Sequence, residues 1–167
     1  MTRVSAGLLV YRFAEDGGLE LLIVHPGGPV WKKRDDGAWS VPKGEVEGDD
    51  DWAATADREF AEELGMAPPP GLRLDLGEIV QKGGKHVRAS AVAGDLDADA
   101  AESNTFETEW PRGSGQMRVF PEIDRAAWFT ADEARSKLVP TQAVFVDRLI
   151  AALEGATDEN PAGDAKR

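Results

Sequence analysis

Residues 51–64 contain neither Gly nor Pro, in a chain where those two residues cut most of the rest into short pieces. Trp52, Ala53, Ala56, Phe60 and Leu64 fall on an arc of roughly 120° at 3.6 residues per turn, which predicts a helix with one core-facing stripe. Asp49 or Asp50 is placed to cap its start, and Gly65 sits where a left-handed residue closes a helix. Apolar, β-branched runs at 4–12 and 19–25, joined by Glu15-Asp16-Gly17-Gly18, predict a hairpin. Residues 26–37 read as a Gly- and Pro-punctuated loop, and 38–41 as a short strand ending at Pro42. Further strands are expected at 74–80, 86–93, 116–120 and 123–129, and further helices at 131–138 and 141–153, separated by Pro140. Residues 94–115 are polar and acidic, a stretch long enough to be a functional or mobile loop. A single domain over 1–154 is expected, with a disordered tail over 155–167.

Composition narrows the chemistry. The 167 residues include no cysteine, so a disulfide framework, a thiolate nucleophile and a cysteine zinc site are all excluded. Oxygen donors remain, and they favour hard cations. With 31 acidic against 19 basic residues the formal net charge is −12, a field that repels polymeric nucleic acid. A small anion is not excluded, because a bound divalent cation reverses the local sign. No segment resembles a signal peptide, and none approaches the roughly 20 apolar residues of a membrane helix. A cytoplasmic protein without a membrane partner is expected.

Residues 44–66 read GEVEGDDDWAATADREFAEELGM. On the expected helix Glu59, Glu62 and Glu63 project within an arc of about 100°, beside the apolar stripe. Like charges so close repel one another, whereas a hard divalent ion needs several oxygens gathered in this way. An E-x-x-E-E pattern alone is also what a solvated acidic helix face looks like. The surrounding residues decide between the two readings. Gly44, Arg58, Glu59, Phe60, Glu62, Glu63, Gly65 and Met66 all stand where the Nudix box, G-x5-E-x7-R-E-U-x-E-E-x-G-U, requires them, and the segment resembles that box. Asp50 departs from it, standing where the box has glutamate. It keeps the charge with a shorter reach, fitting a pair with Arg58 or a helix cap better than a ligand role.

The resemblance implies an α/β chain with the Nudix fold, an α/β/α sandwich around a mixed central sheet, extending to about residue 153. It implies that Glu59, Glu62 and Glu63 are metal ligands, with the Gly44 carbonyl a further one, and that Arg58 orients the acidic cluster. Mg²⁺ is the expected ion, with Mn²⁺ as an alternative. The reaction implied is hydrolysis of a phosphoanhydride in a small nucleotide, in which Glu62 or Glu59 takes the proton of water; Glu102, Glu107 and Glu109 are alternative bases. Lys43 lies directly before the metal-binding loop, where its ammonium is a candidate phosphate contact. Lys32, Lys33, Arg34, Lys82, Lys85, His86 and Arg88 are candidate supplements. Trp31, Trp39 and Trp110 stand in loop or strand-edge contexts that suit stacking on a base, whereas Trp52 and Trp128 fit core packing.

The run DGAWSVPKGE over 36–45 is similar to the W-x-x-P-K-G-x-x-E opening of diadenosine-polyphosphate hydrolases and their relatives. The wider pattern, with Trp110-Pro111 and residues 120–125, resembles a bacterial subgroup of predicted NTP pyrophosphohydrolases. A dinucleoside polyphosphate such as diadenosine tetraphosphate is the leading substrate. A MutT-type NTP pyrophosphohydrolase is the alternative, and a non-catalytic nucleotide-sensing module is the alternative of another class. Nudix proteins are often dimers; no exposed apolar stripe here argues independently for a homodimer.

Overall fold

The computed structural model describes residues 3–159, with side chains from 3 to 155. Its organising strand is β1 (Val4–Phe13), buried along almost its whole length. A strand with neighbours at both edges and layers on both faces needs such a continuous apolar run. On one edge β1 pairs antiparallel with β2 (Leu19–Pro26) through residues 10–13, and with β3 (Lys43–Glu45) through residues 5–7. On the other edge it runs parallel to β5 (His86–Ala93), which carries β4 (Leu74–Val80) antiparallel. Beyond β2 lies antiparallel β8 (Ile123–Thr130), so the six-stranded sheet is mixed.

Side-chain alternation along the strands sorts the core into two layers. Ala6, Leu8, Val10, Leu22 and Val24 pack with Ala56, Phe60 and Leu64 of helix α1 (Trp52–Leu64). Leu9, Tyr11, Leu21 and Ile23 face the opposite way. They pack with Ala134 of α2 (Ala131–Lys137) and with Phe145, Val146 and Leu149 of α3 (Val144–Glu159). The result is the expected α/β/α sandwich. A separate hairpin of β6 (Thr105–Glu109) and β7 (Met117–Pro121) stands off the main sheet.

The structure departs from the sequence reading in several places, each for a local reason. The cap of α1 is Asp51, whose side chain accepts the Ala54 N–H at 3.0 Å, and neither Asp49 nor Asp50. Thr55, not Ala53, joins the buried face of α1. The expected strand at 38–41 is reduced to isolated bridges at Trp39 and Ser40, and pairing resumes only past Pro42, as β3. Within the expected loop at 94–115 lies β6, whose alternating exposure gives no apolar run to read. Helix α3 starts at Val144, after a 3₁₀ turn at Pro140–Gln142, and continues to Glu159, five residues into the expected tail. Residues 160–167 of that tail lie outside the described residues. No helix among the described residues is long and apolar enough to cross a membrane.

Candidate active site

The site forms where α1 crosses the start of the sheet. A register pairing Ala6 of β1 with Gly44 lays β3 beneath the second half of α1. Gly44 is required there by close approach: a Cβ on it would stand 2.0 Å from both Cδ and Oε1 of Glu59. The bare backbone at 44 thus provides the floor on which Glu59 lies. One residue earlier, the Lys43 N–H donates to Glu63 Oε1 at 3.3 Å. Helix α1 ends just beyond the cluster, where Gly65 adopts φ 68° and its N–H donates to the Ala61 carbonyl at 2.8 Å.

The electrostatics are those of a site short of positive charge. Burial first, and Glu62 second, raise the Glu59 carboxyl above the usual carboxylate range. Burial lifts Glu63 further, to about 8, against the opposing pull of the Lys43 ammonium and backbone. Lys43 is lowered, chiefly by burial and then by Lys85, while Glu63, Glu59 and Glu45 hold it up. Lys43 and Glu63 are therefore a half-buried pair, each driven toward its neutral form. Arg58 serves the exposed side, its guanidinium 3.7 Å from Glu59, 4.0 Å from Glu62 and 3.9 Å from Asp50. Contacts this long and this open contribute under about 1 kcal/mol each. Asp50 accordingly pairs with Arg58 and lies outside the group of candidate ligands.

Among the described residues, no three carboxylate or imidazole side chains already close on one point at metal-binding range. The donor set nonetheless fits a hard divalent cation: oxygen ligands only, mutually repelling, with the Gly44 backbone against Glu59 and a loosely held arginine as the present counter-charge. The fold also brings an exposed carboxylate to the neighbourhood of the cluster, one that the sequence reading did not single out as a site residue. Glu122, in the single-residue joint between β7 and β8, raises both Glu59 and Glu63. Its signal in sequence was only a glutamate beside a proline, 59 to 63 positions from the helix cluster, and nothing but tertiary structure brings them together. The three loop glutamates named as alternative bases differ in their contacts. Glu109 accepts the Gly113 and Gly115 N–H groups at 3.2 and 2.7 Å, and Glu102 and Glu107 are exposed.

Of the expected aromatic contacts, Trp39 is a correction. It is 1% exposed, edge-on to His25 and Phe129 at ring separations of 5.3 and 5.0 Å, with its indole N–H donated to Asp35 at 2.8 Å. It has no face to offer a base and belongs to the core. Trp31 and Trp110 remain at the surface, half-buried, lining one cleft. Trp52 and Trp128 are partly buried against the α1 layer, each under an arginine, Arg88 at 4.1 Å and Arg12 at 3.9 Å. His86 pairs with Glu78 across the β4–β5 strands, a structural role.

The sequence profile of the NUDIX domain matches residues 1–149. No protein of curated function matches the chain by sequence. Among solved structures, a Caenorhabditis elegans Ap4A hydrolase binary complex superposes with a TM-score of 0.59 at 19% identity, covering 92% of this chain and 99% of that one. The NUDIX domain of Shewanella oneidensis NrtR, solved with ADP ribose, gives 0.59 at 12% identity, covering 92% and 89%. A MutT protein from Methanosarcina mazei gives 0.54 at 18%, covering 88% and 91%. At these identities the superpositions establish the fold alone, but the profile spans nearly the whole described chain: the chain belongs to the NUDIX family.

Proposed function

We propose that this Nudix hydrolase cleaves a phosphoanhydride bond in a dinucleoside polyphosphate such as diadenosine tetraphosphate, with Mg²⁺ as its ion. The observation that carries the reading is the gathering of Glu59, Glu62 and Glu63 from one helix, with Glu122 from the β7–β8 joint, beside the Gly44 backbone and Lys43. Nudix hydrolases generally use divalent cations, and such an ion supplies charge neutralisation at the phosphates and a more acidic water. Glu59, Glu63 and the Gly44 carbonyl would hold it. Glu62, more exposed than either neighbour, is placed to accept the proton of water, and Glu59 is the alternative base. Lys43, held beside Glu63, presents its ammonium to a phosphate oxygen. Arg58 spans Asp50, Glu59 and Glu62 and keeps the carboxylates oriented. Attack of water at phosphorus breaks the P–O–P bridge and leaves two phosphorylated products.

The test is product release from a panel of dinucleoside polyphosphates, nucleoside triphosphates and nucleotide sugars with Mg²⁺. It is repeated with Glu62→Gln and Glu63→Gln, each expected to lower kcat by about 100-fold or more. Preferential release of NMP and pyrophosphate from triphosphates would move the assignment to a MutT-type activity. An intact chain that binds a nucleotide yet hydrolyses nothing on the panel would show a sensor.

A further inference from the structure

Beyond the carboxylates lies a second concavity, between the loop at residues 27–34 and the β6–β7 hairpin. It consists of two chambers, of about 660 and 220 Å³, that share Gly28, Pro29, Val30 and Trp110. Five cations line it: Lys32, Lys33, Arg34, Arg112 and Arg118. In a chain of net charge −12 this is a concentration of one sign against the overall balance. The two acids among its lining residues are already engaged. Asp124 faces His25 Nδ1 at 2.8 Å, and Glu109 accepts the Gly113 and Gly115 N–H groups. Among the described residues none of the five cations has an ion-pair partner, whereas most other arginines of the chain do. Trp31 and Trp110 stand at the rim with their indoles half-buried.

The concavity is joined to the chemical site by backbone. Gly27 at the loop's start donates its N–H to the Glu122 carbonyl at 2.8 Å, Glu122 donates to the Asn104 carbonyl at 2.8 Å, and Asn104 donates to the Glu62 carbonyl of α1 at 3.1 Å. His25 fastens the loop's far end as well, its Nε2 lying 2.6 Å from the Arg34 carbonyl. The cleft therefore opens from the very residues that root the carboxylate cluster, and both of its walls are tied down there.

We infer that this cleft is a second subsite, taking the far phosphates and the second base of a bridged dinucleotide, and that it sets a preference for such substrates over mononucleotides. The inference rests on the hydrolase reading above for what happens at the other end of the substrate. A bridged dinucleotide carries more phosphates than a triphosphate and a flat second base, which suit a cleft whose five cations have no ion-pair partner among the described residues and whose Trp31 ring already accepts the Arg34 guanidinium over its face at 5.3 Å.

The experiment is calorimetric titration of the full chain in EDTA with three probes: inorganic tripolyphosphate, ATP and diadenosine tetraphosphate. The dinucleotide is expected to bind about tenfold tighter than ATP, and Lys33→Ala combined with Arg118→Ala to bring the two within about threefold. Both side chains are exposed, so the variant keeps the fold. Trp31→Ala is expected to narrow the gap between the dinucleotide and tripolyphosphate, which lacks a base to stack. Equal affinity for ATP and the dinucleotide in the intact chain, or a preference that survives the double substitution, would overturn the subsite. Turnover with Mg²⁺ is scored separately. A chain that shows the cleft-dependent preference and hydrolyses nothing would support the subsite and overturn the hydrolase reading.

Discussion

Two residues show how differently single positions respond to context. Gly44 was singled out by the resemblance to the Nudix box, and the structure gives a packing reason for glycine there: the Glu59 carboxylate occupies the volume that any Cβ would need. Gly44→Ala is therefore expected to leave a folded protein with Glu59 displaced. Metal affinity and kcat/KM should fall about 10- to 100-fold, as when a group that orients a ligand is removed. Unchanged metal affinity by titration would show that the contact has no consequence. Trp39 was misread because an indole in a Gly- and Pro-rich stretch looks exposed in sequence. Which layer covers it depends on Phe129 and Leu138, about 90 to 100 positions away. Trp39→Ala is expected to destabilise the fold by about 3–5 kcal/mol, read by chemical denaturation. A loss of substrate affinity with no loss of stability would return Trp39 to the binding surface.

At the scale of elements, those with a strong period were legible and those held by partners were not. Strands β4 and β5 were bounded correctly because turn residues bracket apolar runs, and the end of α1 because Gly65 marks it, while its start was read one residue early, at the Asp51 that caps it. Strand β3, of three residues including Gly44, has no pattern of its own and exists by pairing with β1. Strand β6 is exposed on alternate residues and charged, so it reads as loop until β7 lies beside it. A polar brace was likewise invisible. Gln142, in the 3₁₀ turn before α3, is buried; its Oε1 accepts the Val41 N–H at 2.9 Å and its Nε2 donates to Gln81 at 2.8 Å. It thereby fixes the segment that delivers Lys43 and Gly44. Gln142→Ala leaves a buried N–H without a partner and is expected to cost about 1–3 kcal/mol in denaturation. It should also raise KM, because Lys43 loses its support. Equal stability of the variant and the intact chain would show that Val41 finds another acceptor.

For the molecule as a whole, the sandwich traps Glu63 and Lys43 between α1 and the sheet edge, and this couples stability to pH and to metal. The Glu63 carboxyl stands at about 8 in the folded chain against 4.5 as its ordinary value. Between those values the folded state keeps a proton that the unfolded state releases. Its stabilising contribution is thus full below pH 4.5 and is lost as pH rises toward 8. Lys43, lowered chiefly by burial, has the opposite sign: its contribution recovers as pH rises from its depressed value toward 10.5 and opposes the Glu63 trend wherever the two overlap. The melting temperature of the metal-free protein is therefore expected to fall from pH 5 to pH 8. A divalent cation binds the ionised carboxylates of the folded state and not of the unfolded one, so it should reverse that fall. Mg²⁺ at a hundred times its Kd is expected to raise the melting temperature at pH 8 by about 5–10 °C. Glu63→Gln removes the titrating group and a ligand together. It should flatten the metal-free pH profile and shrink the Mg²⁺ increment in the same set of melts. A flat profile in EDTA for the intact chain would mean that Glu63 is solvated, and an undiminished increment in the variant would mean that the ion is held without it. Either result breaks the link between the half-buried pair and the metal, because one carboxylate cannot set both the pH dependence and the ion affinity unless it is buried when protonated and bound when not.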